Sequence, residues 1–304
     1  MKLVTYKAGK ELKLGAIGSK GILDLQRAGR KLLAQWLPET MRDFIEAGDG
    51  AWRIAADAIE AAETSGEDLW VAANTPLAAP LGGFKKNVFC VGRNYKAHIA
   101  EMAHSLGREP NYPKVPEFFS KPPTTVIGPE EGIERHEAHT QRLDYEVELA
   151  AVIGKKGRNI TEGDALSHVF GYTVVNDITA RDAQINHHQF FKGKSFDTFC
   201  PIGPCIVTAD EFGDPSGHRL TLKVNGETRQ DSNTSDLLFG VPKIIEALSW
   251  ALTLEPGDII ATGTPAGVAA GMKTPGWLKT GDVVEAEVEG IGLLRNTVVA
   301  DKAA

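Results

Sequence analysis

The sequence lacks any long apolar run. Nowhere in its 304 residues do about 18 apolar side chains follow one another, so no membrane-spanning helix is expected. Its opening, MKLVTYKAGK, lacks the apolar stretch of a secretion signal. Cysteine is scarce: Cys90, Cys200 and Cys205 are odd in number and without zinc-ribbon spacing. That argues against a disulfide framework and for buried thiols in a reducing, cytoplasmic compartment. No Walker sequence, no G-x-G-x-x-G and no G-x-S-x-G occurs, which leaves no support for a P-loop, a dinucleotide fingerprint or a nucleophile elbow. Positive charge is in deficit, 33 Lys and Arg against 40 Asp and Glu. The net charge of −7 argues against nucleic acid or a membrane surface as partner. An anionic small substrate stays admissible, because a bound cation reverses the local sign.

What is present is an ordinary globular composition, 42% hydrophobic and 24% charged. Residues 3–7 and 12–17 read as strands around the turn Ala8-Gly9-Lys10. Residues 26–63 have helical spacing, with Thr40 and Asp49 as candidate caps. Two prolines and two glycines between Asn74 and Gly83 break both periodicities. The expected division is a small N-terminal α/β domain, 1–78, and a larger domain, 79–304. In the larger part, residues 87–91, 146–153, 169–175, 258–262 and 283–288 read as strands. Asn225-Gly226 between 220–224 and 227–229 signals a hairpin with a type I′ turn, and 241–253 reads as a helix. Strands dominate and do not alternate with helices, so the expected class is α+β and β-rich, not a doubly wound nucleotide fold.

The central motif is Asp144-Tyr145-Glu146-Val147-Glu148-Leu149. Side chains two apart on a strand share a face, so Glu146 and Glu148 project together while Val147 and Leu149 face the other way. Acidic residues are depleted in strands, and like charges side by side repel. A hard divalent cation with oxygen ligands would relieve that repulsion. Asp177 ends a second apolar run, Gly171-Tyr172-Thr173-Val174-Val175-Asn176, and is positioned to complete one face of an octahedron. The alternative is a solvated strand with its acids on the wet face. Asp144 shares that face and is either an outer partner or exposed.

His98 and Glu101 are three apart after the turn Gly92-Arg93-Asn94-Tyr95 and share a helix face. A carboxylate beside an imidazole fixes its tautomer and raises its basicity, as a general base requires. A surface His–Glu pair is the plainer reading. Residues 103–118 are polar and rich in Pro and Gly, either a mobile lid or a static loop. Lys194, flanked by aromatics, is either aimed at an anion or solvated. The turn Ala261-Thr262-Gly263-Thr264-Pro265-Ala266-Gly267 offers backbone N–H groups and the Thr264 hydroxyl to a carboxylate, or is a plain turn. His136 with His139 reads as a loop rather than a zinc site, and the adjacent His187 and His188 point apart.

Across residues 84–297 these motifs resemble the fumarylacetoacetate hydrolase family. The carriers are Asn94-Tyr95 with His98 and Glu101, Ser120-Lys121-Pro122, the Asp144–Leu149 segment, Asn176-Asp177-Ile178-Thr179-Ala180-Arg181-Asp182, Gly193-Lys194-Ser195-Phe196-Asp197-Thr198, and Thr262-Gly263-Thr264-Pro265. The resemblance implies a mixed β-roll catalytic domain, commonly a homodimer, using Mg²⁺ or Mn²⁺, with Ca²⁺ admissible. It implies Glu146, Glu148 and Asp177 as metal ligands and a His98–Glu101 dyad on a helix that orders over substrate. It implies Lys194 as the active-site lysine, Thr264 as a contact to the substrate carboxylate, and Arg181 and Gln184 beside the pocket. The stretch between Met102 and Phe118 is longer and more polar than in compact members, which leaves lid contacts and substrate choice open.

The expected reaction is hydrolysis of a carbon–carbon bond in a 2,4-dioxo acid of the acylpyruvate or fumarylpyruvate type. His98, oriented by Glu101, would activate water, and the metal would stabilise the departing pyruvate enolate. The same chelation serves an alternative: decarboxylation of oxaloacetate, or isomerisation and hydration of 2-hydroxy-dienedioates in aromatic catabolism. The expected partner is a small 2-oxo acid.

Overall fold

Alternating apolar side chains turn the first residues into three antiparallel strands, β1 (Lys2–Ala8), β2 (Glu11–Gly18) and β3 (Gly21–Asp24). The structure, a computed structural model, describes residues 1–105 and 107–301. Helix α1 (Leu25–Leu33) starts where the Asp24 carboxylate accepts from the Arg27 amide, 3.0 Å. Helix α2 (Met41–Ala47) is capped by Thr40, as its spacing predicts. Asp49 lies inside the first turn of α3 (Asp49–Thr64), and Gly48 occupies the cap. The helical spacing over 26–63, with candidate caps at Thr40 and Asp49, is three helices. Ala34 in the left-handed region ends α1, and Gly48 separates α2 from α3. A short strand, β4 (Trp70–Val71), pairs with β3.

The rest of the chain supplies β5 (Val88–Gly92), α4 (Lys96–Ser105), β6 (Glu117–Lys121), β7 (Val147–Ile153) and β8 (Val169–Asn176). Then come α5 (Arg181–His187), α6 (Phe190–Lys194), β9 (Cys200–Thr208), β10 (Arg219–Val224) and β11 (Glu227–Asn233). Helix α7 (Val241–Ser249) and strands β12 (Ile259–Ala261), β13 (Val283–Val288) and β14 (Gly292–Val299) complete it. At the β10–β11 turn, Asn225 and Gly226 have φ of 52° and 79°, the left-handed pair that a type I′ hairpin needs.

One large sheet runs β4-β3-β2-β1-β9-β8-β7-β12-β5-β6, antiparallel along this path except where β12 lies parallel to β5; a short side strand, Val126–Ile127, also pairs parallel with the start of β9. A second sheet runs β11-β10-β13-β14. The boundary read at 78/79 falls between β4 and β5, within the one large sheet. Every residue of β7 is buried. Val147, Leu149 and Ala151 pack with Leu222 and Ala286 of the second sheet. Ala150 and Val152 pack on the other face with Leu25, Phe44 and Ala55 of the N-terminal part. A strand covered on both faces must be apolar throughout, so Glu148 within it is the exception that marks a site. No helix among the described residues is long and apolar enough to cross a membrane.

Candidate active site

The ladder between β7 and β8 builds the carboxylate cluster. Val147 pairs with Asn176, and beyond that pair the Asp177 amide donates to the Glu146 carbonyl, 2.8 Å. The Glu146 amide donates to the Asn176 side chain, 3.0 Å. These bonds extend the ladder past the strand ends and set Asp177 beside Glu146. Glu146, Glu148 and Asp177 are 4%, 1% and 0% exposed, which rejects a solvated strand face. Each offers an oxygen to a group whose members lie within 4.8 Å of one another.

Three cations surround these acids unequally. Lys194 Nζ donates to Glu146 Oε2, 2.6 Å, and to Asp177 Oδ2, 2.7 Å. Arg181 donates to Glu146 Oε1, 2.5 Å, and through Nε to Asp144 Oδ2, 2.8 Å. Lys121 Nζ donates to Asp177 Oδ1, 2.5 Å. Burial opposes ionisation of Glu146, but Lys194 and Arg181 hold its carboxyl at about 2. Burial, with Asp177 and Glu146 beside it, pushes the Glu148 carboxyl well above its usual range. The bond to Glu148 is from the Gly263 amide to Oε2, 2.7 Å; no lysine or arginine ion-pairs with it among the described residues. A buried carboxylate short of positive charge, in an all-oxygen donor set, fits a hard divalent ion. Gly263 has φ of 100°, and a Cβ there would lie 2.8 Å from Asn94 Cβ, so only glycine aims this amide at Glu148.

His98 and Glu101 lie on α4, which leaves β5 through a turn stapled by Asn94. Its side-chain amide donates to the Phe239 and Thr262 carbonyls, 2.9 and 2.8 Å. His98 Nδ1 faces Glu101 Oε2 at 3.5 Å, without a hydrogen bond, and is buried. The Gly267 amide donates to both Glu101 oxygens, 3.0 and 3.1 Å.

A cavity of about 500 Å³ joins these groups. His98, Glu146, Arg181, Gln184, Lys194 and Thr264 line it, while Glu148, Asp177 and Glu101 stand behind the lining. Gln184 Oε1 accepts from Arg181, 3.2 Å, leaving its NH₂ group available. The Thr264 hydroxyl donates to the Val147 carbonyl, 3.0 Å, and accepts from Gln230, 2.8 Å, so its proton is already committed. Lys194 lies on a short helix, and its aromatic neighbour is Phe119 from β6, 5.4 Å from Nζ to ring centre, not a sequence neighbour. Arg108, Glu109 and Asn111 of the polar 103–118 stretch also line the cavity. Asp144 is wholly buried: besides Arg181 it accepts from the Ala269 and Ala270 amides, 2.8 and 3.0 Å. Sequence reading left Asp144 undecided and gave Lys121 no role; a buried lysine has no local pattern that separates it from a solvated one. His136 sits in a loop against the Asp197 carbonyl, 3.0 Å, and among the described residues no zinc-type group forms there.

A mixed α/β scaffold with buried carboxylates able to hold a divalent ion, and a His–Glu pair on the same cavity, defines an enzyme class. The chain belongs to the fumarylacetoacetate hydrolase family: residues 87–299 match the family model for the fumarylacetoacetate (FAA) hydrolase C-terminal domain. It is 42% identical to the oxaloacetate tautomerase YisK of Bacillus subtilis (strain 168), over 98% of this chain and 100% of that one. A fumarylacetoacetate hydrolase from Exiguobacterium antarcticum superposes with a TM-score of 0.80 at 39% identity, covering 99% of this chain and 100% of that one. A 2-hydroxyhepta-2,4-diene-1,7-dioate isomerase from Mycobacterium marinum superposes at 0.73 with 31% identity, covering 100% of both.

Proposed function

We propose that the chain interconverts the keto and enol forms of a small 2-oxo dicarboxylic acid of the oxaloacetate type. The observation that carries this is the end-to-end likeness to the Bacillus subtilis tautomerase, which extends through the N-terminal strands and helices. Hydrolysis, the leading expectation from the sequence, gives way on that ground to isomerising chemistry; the sequence reading expected that chemistry for 2-hydroxy-dienedioates and expected oxaloacetate only as a decarboxylation substrate. A divalent ion held by Glu146, Glu148 and Asp177, magnesium or manganese by the all-oxygen donor set, supplies Lewis acidity towards the 2-oxo group when bound.

The chain's own groups move the protons. With Nδ1 turned to Glu101, His98 keeps Nε2 for substrate and takes the proton from C3. Lys194 Nζ, which lines the cavity and bridges Glu146 and Asp177, delivers a proton to the C2 oxygen. The C3–H bond breaks, an O–H bond forms, and exchange with solvent resets both groups. Arg181 and Gln184 orient the substrate carboxylate from α5. Three buried free thiols suit a reducing compartment.

Hydrolysis of an acylpyruvate is the second reading, favoured by the His98–Glu101 pair, since a carboxylate-backed imidazole also activates water. The test uses chelator-treated protein reloaded with Mg²⁺ or Mn²⁺ and offered enol-oxaloacetate or an acylpyruvate. The expected result is decay of the enol absorbance about a hundredfold faster than in buffer, and only with metal. Cleavage of the acylpyruvate with the enol decay unchanged would overturn the proposal in favour of a hydrolase; release of CO₂ from oxaloacetate would make it a decarboxylase.

A further inference from the structure

Lys121 is the last residue of β6. Its strand neighbours are partly exposed, yet it is 0% exposed itself. Its Nζ donates to Asp177 Oδ1, 2.5 Å, and to the Ile178 carbonyl, 3.2 Å. Burying a lysine carries a large desolvation penalty, so the position needs a reason. Neutralising Asp177 is not sufficient reason, because Lys194 already meets its other oxygen at 2.7 Å.

The pattern across the three carboxylates supplies one. Arg181 holds Glu146 Oε1, the Gly263 amide holds Glu148 Oε2, and Lys121 holds Asp177 Oδ1. Each acid has one oxygen tied from outside; the second oxygens of Glu146 and Asp177 both meet Lys194 Nζ, the one cation they share, at 2.6 and 2.7 Å, so one oxygen of each acid faces a common point. Three single oxygens suit an ion with octahedral geometry that keeps several waters. Calcium prefers six to eight oxygens, often with both oxygens of a carboxylate. Of the three outer donors, Arg181 lines the cavity and Gly263 acts through its backbone; Lys121 stands outside the lining.

We infer that Lys121 is a positioning residue: it holds Asp177 to a single inward oxygen and so biases the carboxylate site towards Mg²⁺ or Mn²⁺ over Ca²⁺. The inference rests on reading the three carboxylates as a metal site.

The experiment compares Mn²⁺ binding, followed by electron paramagnetic resonance, with Ca²⁺ competition in wild type, Lys121→Met and Lys121→Gln. Loss of the lysine charge acts on both ions alike and cancels in the ratio of affinities. In Lys121→Met, Asp177 is free to turn both oxygens inward, and the Ca²⁺ to Mn²⁺ affinity ratio should rise about tenfold. Lys121→Gln keeps an N–H donor and should stay near the wild-type ratio. An unchanged ratio in Lys121→Met, or an equal rise in Lys121→Gln, overturns the assignment. A measurement on wild type alone guards against a variant that does not fold. Bound Mn²⁺ should carry three waters by pulsed resonance before substrate is added, and two or fewer would mean that a carboxylate binds through both oxygens. Absence of any Mn²⁺ binding by wild type would instead remove the metal reading itself.

Discussion

Asp182 shows how a single carboxylate steadies the site from outside it. It sits in the first turn of α5 and accepts from the Thr140 hydroxyl, 2.5 Å, and from the Gln141 and Ala183 amides, 2.8 and 2.9 Å. It thus ties the loop before β7 to the helix that carries Arg181 and Gln184. Partial burial alone would raise its carboxyl, but these hydrogen bonds hold it below the usual range. A lowered folded-state value contributes stability above the unfolded pKa, about 4, and that contribution is lost as the pH falls through the folded value. Asp182→Asn should therefore lower stability at pH 7 by about 1 kcal/mol, a modest figure because the group is partly solvated. Urea melts at pH 7 and pH 3 check this: the gap between variant and wild type should close in acid, and an equal gap at both would refute it. At this scale spacing marked the acids and the His–Glu pair only as candidates, with a wet strand face and a surface pair as the alternatives, and the family resemblance chose between them. Glu148 interrupts an apolar strand, and His98 and Glu101 share a helix face. The roles of Lys121 and Asp144 were not legible, because burial of a charged side chain depends on partners far along the chain: Asp177 for the first, Arg181 for the second.

Among elements, the segment from Gly263 to Gly271 does the most with the least side chain. Its amides hold Glu148 through Gly263, Glu101 through Gly267, and Asp144 through Ala269 and Ala270. One stretch of backbone therefore sets the distance between the carboxylate cluster and the helix bearing His98. Gly271 packs against that helix so closely that a Cβ would lie 2.3 Å from Glu101 Cδ and 2.4 Å from Cγ. Gly271→Ala should push Glu101 off the Gly267 amide and away from His98, lowering kcat about 10- to 100-fold. Mn²⁺ affinity should stay at the wild-type level, since Glu148 and Asp177 keep their bonds. Loss of metal binding in step with turnover would mean that the segment simply collapses. The sequence showed the flanking strands better than this segment's role, because amide direction has no residue-type signature. It also hid β9, where Pro201, Gly203 and Pro204 read as strand breakers. The strand tolerates them because its pairing with β8 shifts register between Tyr172 and Val174. Helices α5 and α6 are too short for apolar periodicity to show.

In the whole molecule, the N-terminal residues are part of the catalytic scaffold. Strand β1 pairs with β9, Lys2 with Val207 and Leu3 with Ile206. Helices α1 to α3 cover the face of the large sheet that carries Ala150, Val152, Ile202 and Ile206, and Glu146 and Glu148 project from that same side of β7. The composition shift between Asn74 and Gly83 is real in the sequence, but backbone pairing between distant strands leaves no mark on local composition. Residues 79–304 produced alone would carry a bare β9 edge and an uncovered apolar face. That fragment should aggregate or elute as large species on gel filtration. Full-length protein nicked by protease in the 74–83 stretch should keep its two pieces together and its metal affinity intact. A monodisperse 79–304 fragment that melts at the full-length temperature and binds Mn²⁺ as tightly would show the N-terminal layer to be dispensable. The contrast between nicked and truncated protein isolates the cause: the covalent link is the same in its absence from both, and only the packed layer differs.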